Sequence, residues 1–241
     1  MITMSNFGSN GRLGNQLFQY AFMFSLSKEN NYDFCIPEGS DAQKCFNITL
    51  SNCKNNIVRK HKEQSFTFDV NFPQIYPDNC DYRGYYQSEK YFKKYKTELL
   101  KTFEFKQEHK ISGDLDFSNI VSIHIRRGDY VNNTHYEPYS DEYLKNAKGE
   151  FNNKKYLVFS DDINWCKEMN IGDYYAENNS HYTDLYQMTL CKSSIIANSS
   201  FSWWGAYLSE KEKVIAPRKW FSGKSIINDT KDLYCHEWIV I

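Results

Sequence analysis

No stretch of the chain approaches the ~18 to 20 uninterrupted apolar residues that span a bilayer. The opening MITMSNFGSNGR also lacks the apolar core of a secretory signal. A soluble protein is therefore expected, cytoplasmic and at most peripheral to a membrane. Charge of one sign is missing too: 29 Lys+Arg stand against 30 Asp+Glu, a formal net charge of -1. No global field draws in nucleic acid or an anionic lipid surface, so an anionic ligand must be met by local groups. The seven cysteines, at 35, 45, 53, 80, 166, 191 and 235, contain no C-x-x-C pair. Neither a disulfide framework nor a structural zinc site is indicated, and mostly free thiols are expected. No H-E-x-x-H spacing and no glycine-flanked serine elbow occurs, which removes the commonest metalloprotease and hydrolase signatures. There is no repeat of 20 to 50 residues to build a solenoid or propeller.

What is present is a globular composition, with 41% hydrophobic, 24% charged and 17% aromatic residues in 241. That length suits one large domain or two small ones. Residues 1–7 predict a short strand, followed by a loop with Gly8, Gly11 and Gly14, a helix over 15–28 and a strand over 32–36. Signals are weak over 41–81. An amphipathic pattern predicts one helix over 88–105, bridging two halves. Beyond it, strands at 120–125, 156–159, 174–176, 194–197 and 213–216 alternate with helices at 163–169, 182–191 and 201–208. This alternation argues for βαβ units and parallel sheets. Two Rossmann-like halves divided near residue 110 would leave a cleft, with ligands beyond the carboxyl ends of the strands.

Five segments could carry chemistry, among them Gly84-Tyr85-Tyr86-Gln87-Ser88-Glu89-Lys90-Tyr91-Phe92. Along Val121 to Arg126 the strand period of two puts Val121, Ile123 and Ile125 on one face, and His124 and Arg126 on the other, emerging at the carboxyl end. A guanidinium there offers a planar fork of donors to phosphate oxygens, and Gly128 allows close backbone approach. The plainer alternative is an internal brace, with Arg126 or Arg127 paired to Asp129 or another carboxylate. Ile195 to Ala206 runs from a strand through Asn198, Ser199 and Ser200 into a helix, so its first N–H groups and hydroxyls can meet an anion. Simple N-capping is the alternative. The G-x-x-G-x-x-G loop at 8–14 is neither the dinucleotide fingerprint nor a P-loop, which weakens hydride and ATPase chemistry. Asp161 and Asp162 end a strand, where a carboxylate can accept from ribose or a base, or cap the next helix. Metal ligation by this pair has no third ligand to support it. A positively lined pocket for a nucleoside diphosphate, without metal, remains.

Five blocks resemble the α-1,2-fucosyltransferases, which move L-fucose from GDP-fucose to a sugar hydroxyl with inversion. They are Gly11-Arg12-Leu13-Gly14-Asn15-Gln16-Leu17-Phe18-Gln19-Tyr20-Ala21, His124 to Tyr130, Phe159 to Ile163, Ile195 to Ala206, and Val214 to Phe221. They stand in the family's order and span nearly the whole chain. The resemblance implies an α/β, GT-B-like fold of two facing Rossmann-like domains with parallel sheets. Residues 1–109 would form the acceptor side with a donor-contacting loop, and residues 110–241 would bind GDP-fucose. It implies no cofactor and no metal, GDP-fucose as co-substrate, and a galactose-containing glycan as acceptor. Arg126 matches the arginine that holds the pyrophosphate, with His124 beside the nucleotide and Arg127 and Asp161 adjoining. Ser199, Ser200, Phe201 and Ser202 match the phosphate loop, while Arg12, Gly14 and Asn15 match a loop that reaches the donor, with Asn15 counted as catalytic beside Arg126 and Asp129. Asp129 is the first candidate for the base that takes the acceptor proton. The chain is shorter than many members and lacks the anchor of the animal Golgi enzymes, which points to a bacterial or viral type. A different acceptor and a non-catalytic carbohydrate-binding module stand as alternatives, the second motivated by 5 Trp and 19 Tyr.

Overall fold

The computed structural model describes residues 1–48, 57, 59–111, 113–131, 133–136 and 139–241. It divides into two compact units, Met1–Lys106 with Asn228–Cys235, and Gln107–Ile227 with His236–Ile241. Among the described residues no helix is long and apolar enough to cross a membrane.

The first unit comprises β1 (Ile2–Thr3), α1 (Leu13–Asn30), β2 (Phe34–Cys35), α2 (Asp41–Cys45), β3 (Arg59–Lys62), β4 (Cys80–Arg83) and α3 (Lys96–Thr102). Its sheet has the order β2-β1-β4-β3, all parallel. β1 is shorter than the predicted strand because Ser5 leaves it to bond Asp81 through both N–H (2.8 Å) and hydroxyl (2.8 Å). α1 buries Leu13, Leu17, Phe18, Ala21, Phe22 and Leu26. It stops at Asn31, whose left-handed backbone (φ 54°) turns its N–H to the Ser27 carbonyl. Phe22 lies at the centre of a ring cluster, stacked on Tyr86 at 3.6 Å and edge-on to Tyr82 and Tyr91.

The single helix predicted over 88–105 is broken. Two 3₁₀ turns, Glu89–Tyr91 and Lys93–Tyr95, precede α3. Adjacent helical side chains diverge by about 100°, yet Tyr91 and Phe92 are both buried, Tyr91 against Phe22 and Phe92 against Phe18. Phe92 leaves helical geometry (φ -135°, ψ 0°) to achieve this, and the whole segment belongs to the first unit. The expectation of mostly free thiols holds for five cysteines, 45, 80, 166, 191 and 235, all buried. Cys35 departs from it, being disulfide-bonded; Cys53 lies outside the described residues.

The second unit comprises β5 (Ile120–Ile125), α4 (Asp141–Gly149), β6 (Lys155–Ser160), α5 (Ile163–Glu168), β7 (Tyr174–Tyr175), α6 (His181–Leu190), β8 (Ser193–Ile195), α7 (Ser200–Tyr207), β9 (Lys213–Ala216) and β10 (Ile239–Val240). Its sheet is parallel throughout, in the order β10-β9-β8-β5-β6-β7. β5 is central, with all six residues buried, as a parallel strand covered on both faces requires. Val121, Ile123 and Ile125 join a core with Leu144, Ala147, Val158 and Ile215, while Ile120 joins one with Leu157, Phe159 and Met188. The chain runs outward from β5 to β6 and β7, then crosses back to β8 and on to β9 and β10. The order therefore reverses between β5 and β8, the crevice where open α/β sheets bind ligands.

Candidate active site

His124 and Arg126 emerge at the carboxyl end of β5, beside that reversal. His124 is buried, its ring 5.6 Å from Phe201 in the first turn of α7. Among the described residues its Nδ1 meets no hydrogen-bond partner. Burial, and then the neighbouring Arg126 charge, push its pKa down to about 3 against the opposing pull of Asp161. The imidazole is neutral at pH 7 and offers its ring as a wall with one lone pair or N–H to spare.

Arg126 spans two carboxylates. One terminal nitrogen bonds Asp129 and the other lies 2.7 Å from Asp161 Oδ2, with the side chain 15% exposed. Its guanidinium carbon also sits 5.5 Å from the centre of the Tyr130 ring. Arg127 points elsewhere: its Nε donates to Asp162 at 3.0 Å, and its guanidinium lies 3.7 Å from the Trp165 ring centre. Its backbone N–H donates to Asp161 Oδ1 at 2.9 Å. The brace alternative thus describes Arg127 and also engages Arg126. Gly128 makes the arrangement possible, because a Cβ there would fall 2.3 Å from Asp161 Oδ2. Asp161 and Asp162, weighed as metal ligands, are each bound to an arginine, and Asp162 also caps α5 by accepting from the Trp165 N–H.

The turn between β8 and α7 is built largely from its own hydroxyls. Ser199 caps α7 by accepting from the Phe201 N–H at 3.3 Å. The buried Ser202 hydroxyl accepts from the Ala197 N–H (3.2 Å) and faces the Ser199 carbonyl (3.2 Å), so it shapes the turn from within. Phe201 reaches His124, and Ser200 begins the helix. Tyr130 joins this turn to the β5 tip, because its hydroxyl donates to the Asn198 carbonyl at 3.1 Å while its ring faces Arg126. Asn198 in turn donates to the Trp220 carbonyl at 2.9 Å.

A cavity of about 290 Å³ opens at these strand ends, lined by His124, Arg126, Tyr143, Asn198, Arg218 and Lys219 among others. Tyr143 comes from α4, and Arg218 and Lys219 follow β9. Sequence reasoning left these residues, and the role of Tyr130, unassigned. A basic pair directly after a buried strand was the available signal, as was Ser140 before acidic Asp141 and Glu142, which marks the start of α4.

Arg12, Gly14 and Asn15 belong to the first unit, at the start of α1. Gly8 and Gly11 take left-handed backbone (φ 83° and 99°), and a Cβ on Gly11 would fall 2.4 Å from Asn15 Nδ2. Buried Gln16 and Gln19 donate to the carbonyls of Gly11 (3.1 Å) and Asn10 (3.2 Å), pinning the loop to the helix. Gln87 donates to Asn15 Oδ1 at 2.7 Å. Arg12 is exposed.

Residues 1–241 match the family described as Glycosyl transferase family 11. Among curated proteins, the chain is 30% identical to the alpha-1,2-colitosyltransferase of Escherichia coli, over 90% of this chain and 92% of that one. It is 26% identical to galactoside alpha-(1,2)-fucosyltransferase 2 of Mus musculus, over 83% of this chain and 66% of that one. Among solved structures, NodZ alpha-1,6-fucosyltransferase soaked with GDP-fucose superposes with a TM-score of 0.53 at 13% identity, covering 86% of this chain and 92% of that one. The fold is accordingly α/β and GT-B-like, with the two parallel sheets described above.

Proposed function

The chain belongs to glycosyl transferase family 11, and on that premise we propose that it transfers L-fucose from GDP-fucose, with inversion, to the 2-hydroxyl of a galactose-type acceptor. The observation that carries this reading is the meeting of a neutral His124, an oriented Arg126 and the cations Arg218 and Lys219 around one cavity at a strand-order reversal. The α-1,2 linkage in the names of the two curated relatives supports that bond, and the GDP-fucose soaked into the NodZ neighbour supports the donor.

In this reaction the acceptor oxygen attacks the fucose C1 from the face opposite the nucleotide, the bond from C1 to the phosphate oxygen breaks, and the acceptor hydroxyl releases its proton to water. Negative charge grows on the departing diphosphate, so a cation fixed beside it favours the transition state over the ground state. Arg126 has that role. His124 lies against the nucleoside, and the first turn of α7 (Ser199, Ser200, Phe201, Ser202) faces the phosphates with its backbone N–H groups. In the first unit, Arg12, Gly14 and Asn15 of the α1 loop are the candidates for donor contact, and residues 1–109 are the candidate acceptor side. Asp129 orients Arg126: its contact with the guanidinium supports that role over the role of base.

A second donor has a specific motive, the colitosyl relative. Colitose is fucose without the 3-hydroxyl, so both would use the same diphosphate grip. Purified protein, incubated with each GDP-sugar and lactose, is expected to yield a 2-linked product by methylation analysis. No product from either donor, together with stabilisation by galactosides but not by GDP, would favour a carbohydrate-binding module instead.

A further inference from the structure

In the first unit the chain runs from β1 outward to β2 and then crosses to β3 and β4, so strand order reverses between β1 and β4. This unit therefore has its own crevice of the kind that binds ligands in open sheets. Two segments flank it, the loop after β1 that carries Asn10, and Gly84-Tyr85-Tyr86-Gln87 after β4.

The second segment is held with unusual firmness. One carboxylate, Glu63 at the end of β3, accepts two consecutive backbone N–H groups, Tyr85 (2.7 Å) and Tyr86 (2.9 Å). Gln19 donates to the Gly84 carbonyl at 2.9 Å. Tyr86 takes a left-handed backbone (φ 52°), disfavoured for a bulky side chain, while its buried ring stacks on Phe22. A strained backbone that its surroundings over-determine is a pointer to function. What the strain presents is Tyr85. The residue is 37% exposed, although Phe22, Tyr76, Tyr82, Tyr86 and Tyr91 are packed inward, and its hydroxyl donates to Asn10 Oδ1 at 3.2 Å. Buried Gln87 lies beyond it, bonded to Asn15. A fixed aromatic face with the Asn10 amide at its hydroxyl suits a neutral sugar: C–H groups pack on the ring while hydroxyls meet the amide.

The geometry points to Tyr85, with Asn10 and Gln87, as the subsite for the acceptor's galactose ring, which packs the C–H groups of carbons 3, 4 and 5 against the Tyr85 face. Glu63 is a positioning residue that keeps the ring in place. This rests on the galactoside reading above, so binding is read without turnover. Saturation-transfer NMR of methyl β-D-galactopyranoside is recorded on the full chain with GDP present, for wild type, Tyr85→Ala and Tyr85→Trp. Wild type is expected to saturate the protons at carbons 3 to 5, Tyr85→Ala to raise the dissociation constant about tenfold, and Tyr85→Trp to restore it. GDP affinity, measured by calorimetry, is the control for the donor reading and for the fold. Equal saturation on wild type and Tyr85→Ala would overturn the subsite, as would no saturation on wild type that binds GDP. Failure to bind GDP with galactoside saturation intact would overturn the transferase reading and leave the subsite standing.

Discussion

Replacing Arg126 by lysine keeps a positive charge at the β5 tip and removes the planar fork that reaches Asp129 and Asp161 at once. An ammonium has three donors, but it is a compact point charge without the spread, planar fork that spans Asp129 and Asp161 and can still present parallel N–H groups to a diphosphate. Two unit charges ~4 Å apart at an effective dielectric of ~20 interact by ~4 kcal/mol. Only the part that grows between ground and transition state accelerates transfer. Losing one preorganised donor at a developing oxyanion costs on the order of 10²- to 10³-fold in kcat. Arg126→Lys is accordingly expected to lower kcat for fucosyl transfer by about that factor at saturating GDP-fucose and acceptor, with a smaller loss of GDP affinity. The assay is radiolabelled transfer to lactose beside calorimetric GDP binding, with thermal unfolding as the check on the fold. A variant that kept more than about a tenth of wild-type kcat would refute the role given to the fork.

Asp129→Asn keeps an oxygen that can accept from Arg126 but cannot take a proton. If the carboxylate only orients the guanidinium, kcat and GDP affinity should both stay within about tenfold of wild type; a fall of 10² to 10⁴ in kcat with GDP binding intact would instead make it the base. His124, held down at about 3 by burial and Arg126, should stay neutral from pH 5 to 8 in ¹⁵N-detected imidazole spectra, and a midpoint near the ordinary value of about 6.5 would contradict its burial. Because the folded state then binds fewer protons than the unfolded chain, this group makes stability decline as pH falls from about 6.5 toward 3. Lys211 donates from one ammonium to the carbonyls of Met188 (2.7 Å), Thr189 (3.3 Å) and Cys191 (2.6 Å) at the end of α6. Lys211→Met leaves those acceptors unpaired and should cost about 2 to 3 kcal/mol by chemical denaturation; a change under about 1 kcal/mol would show that water replaces the ammonium.

The second unit was the more legible. Its strands are short buried runs separated by helices with clear starts, and the predicted strands at 120–125 and 213–216 coincide with β5 and β9. The first unit hides its elements for physical reasons. β3 (Arg59–Lys62) is four polar or charged residues at a sheet edge, with no apolar alternation to reveal it. The 88–105 pattern did look helical, and only the need to bury adjacent Tyr91 and Phe92 breaks it. At the candidate site, strand periodicity placed His124 and Arg126 at the β5 tip. Periodicity cannot state that Asp161, 35 residues on, will lie between the two arginines, because that depends on β6 pairing beside β5 with Ile125 opposite Ser160.

That pairing changes the electrostatics of the site from the positively lined pocket expected of the sequence. Around the β5 tip, the two guanidinium charges of Arg126 and Arg127 face the three carboxylates of Asp129, Asp161 and Asp162. The cluster alone is net negative by one and offers a diphosphate no long-range attraction. Arg218 and Lys219 line the same cavity, and with Glu142 also in its lining the balance over these eight groups is neutral. Attraction and orientation are therefore supplied by different residues. The pair after β9 raises the local anion concentration, an effect that salt screens. Arg126 is aimed in advance by its two carboxylates, and in the proposed reaction its interaction with the phosphate would strengthen as charge develops on the leaving oxygen. Arg218→Ala and Lys219→Ala should then weaken GDP binding most at low ionic strength, each by about threefold to tenfold, and leave kcat at saturating donor nearly unchanged. A salt-independent fall in kcat from either substitution would place that residue at the reacting atoms and collapse the division of labour.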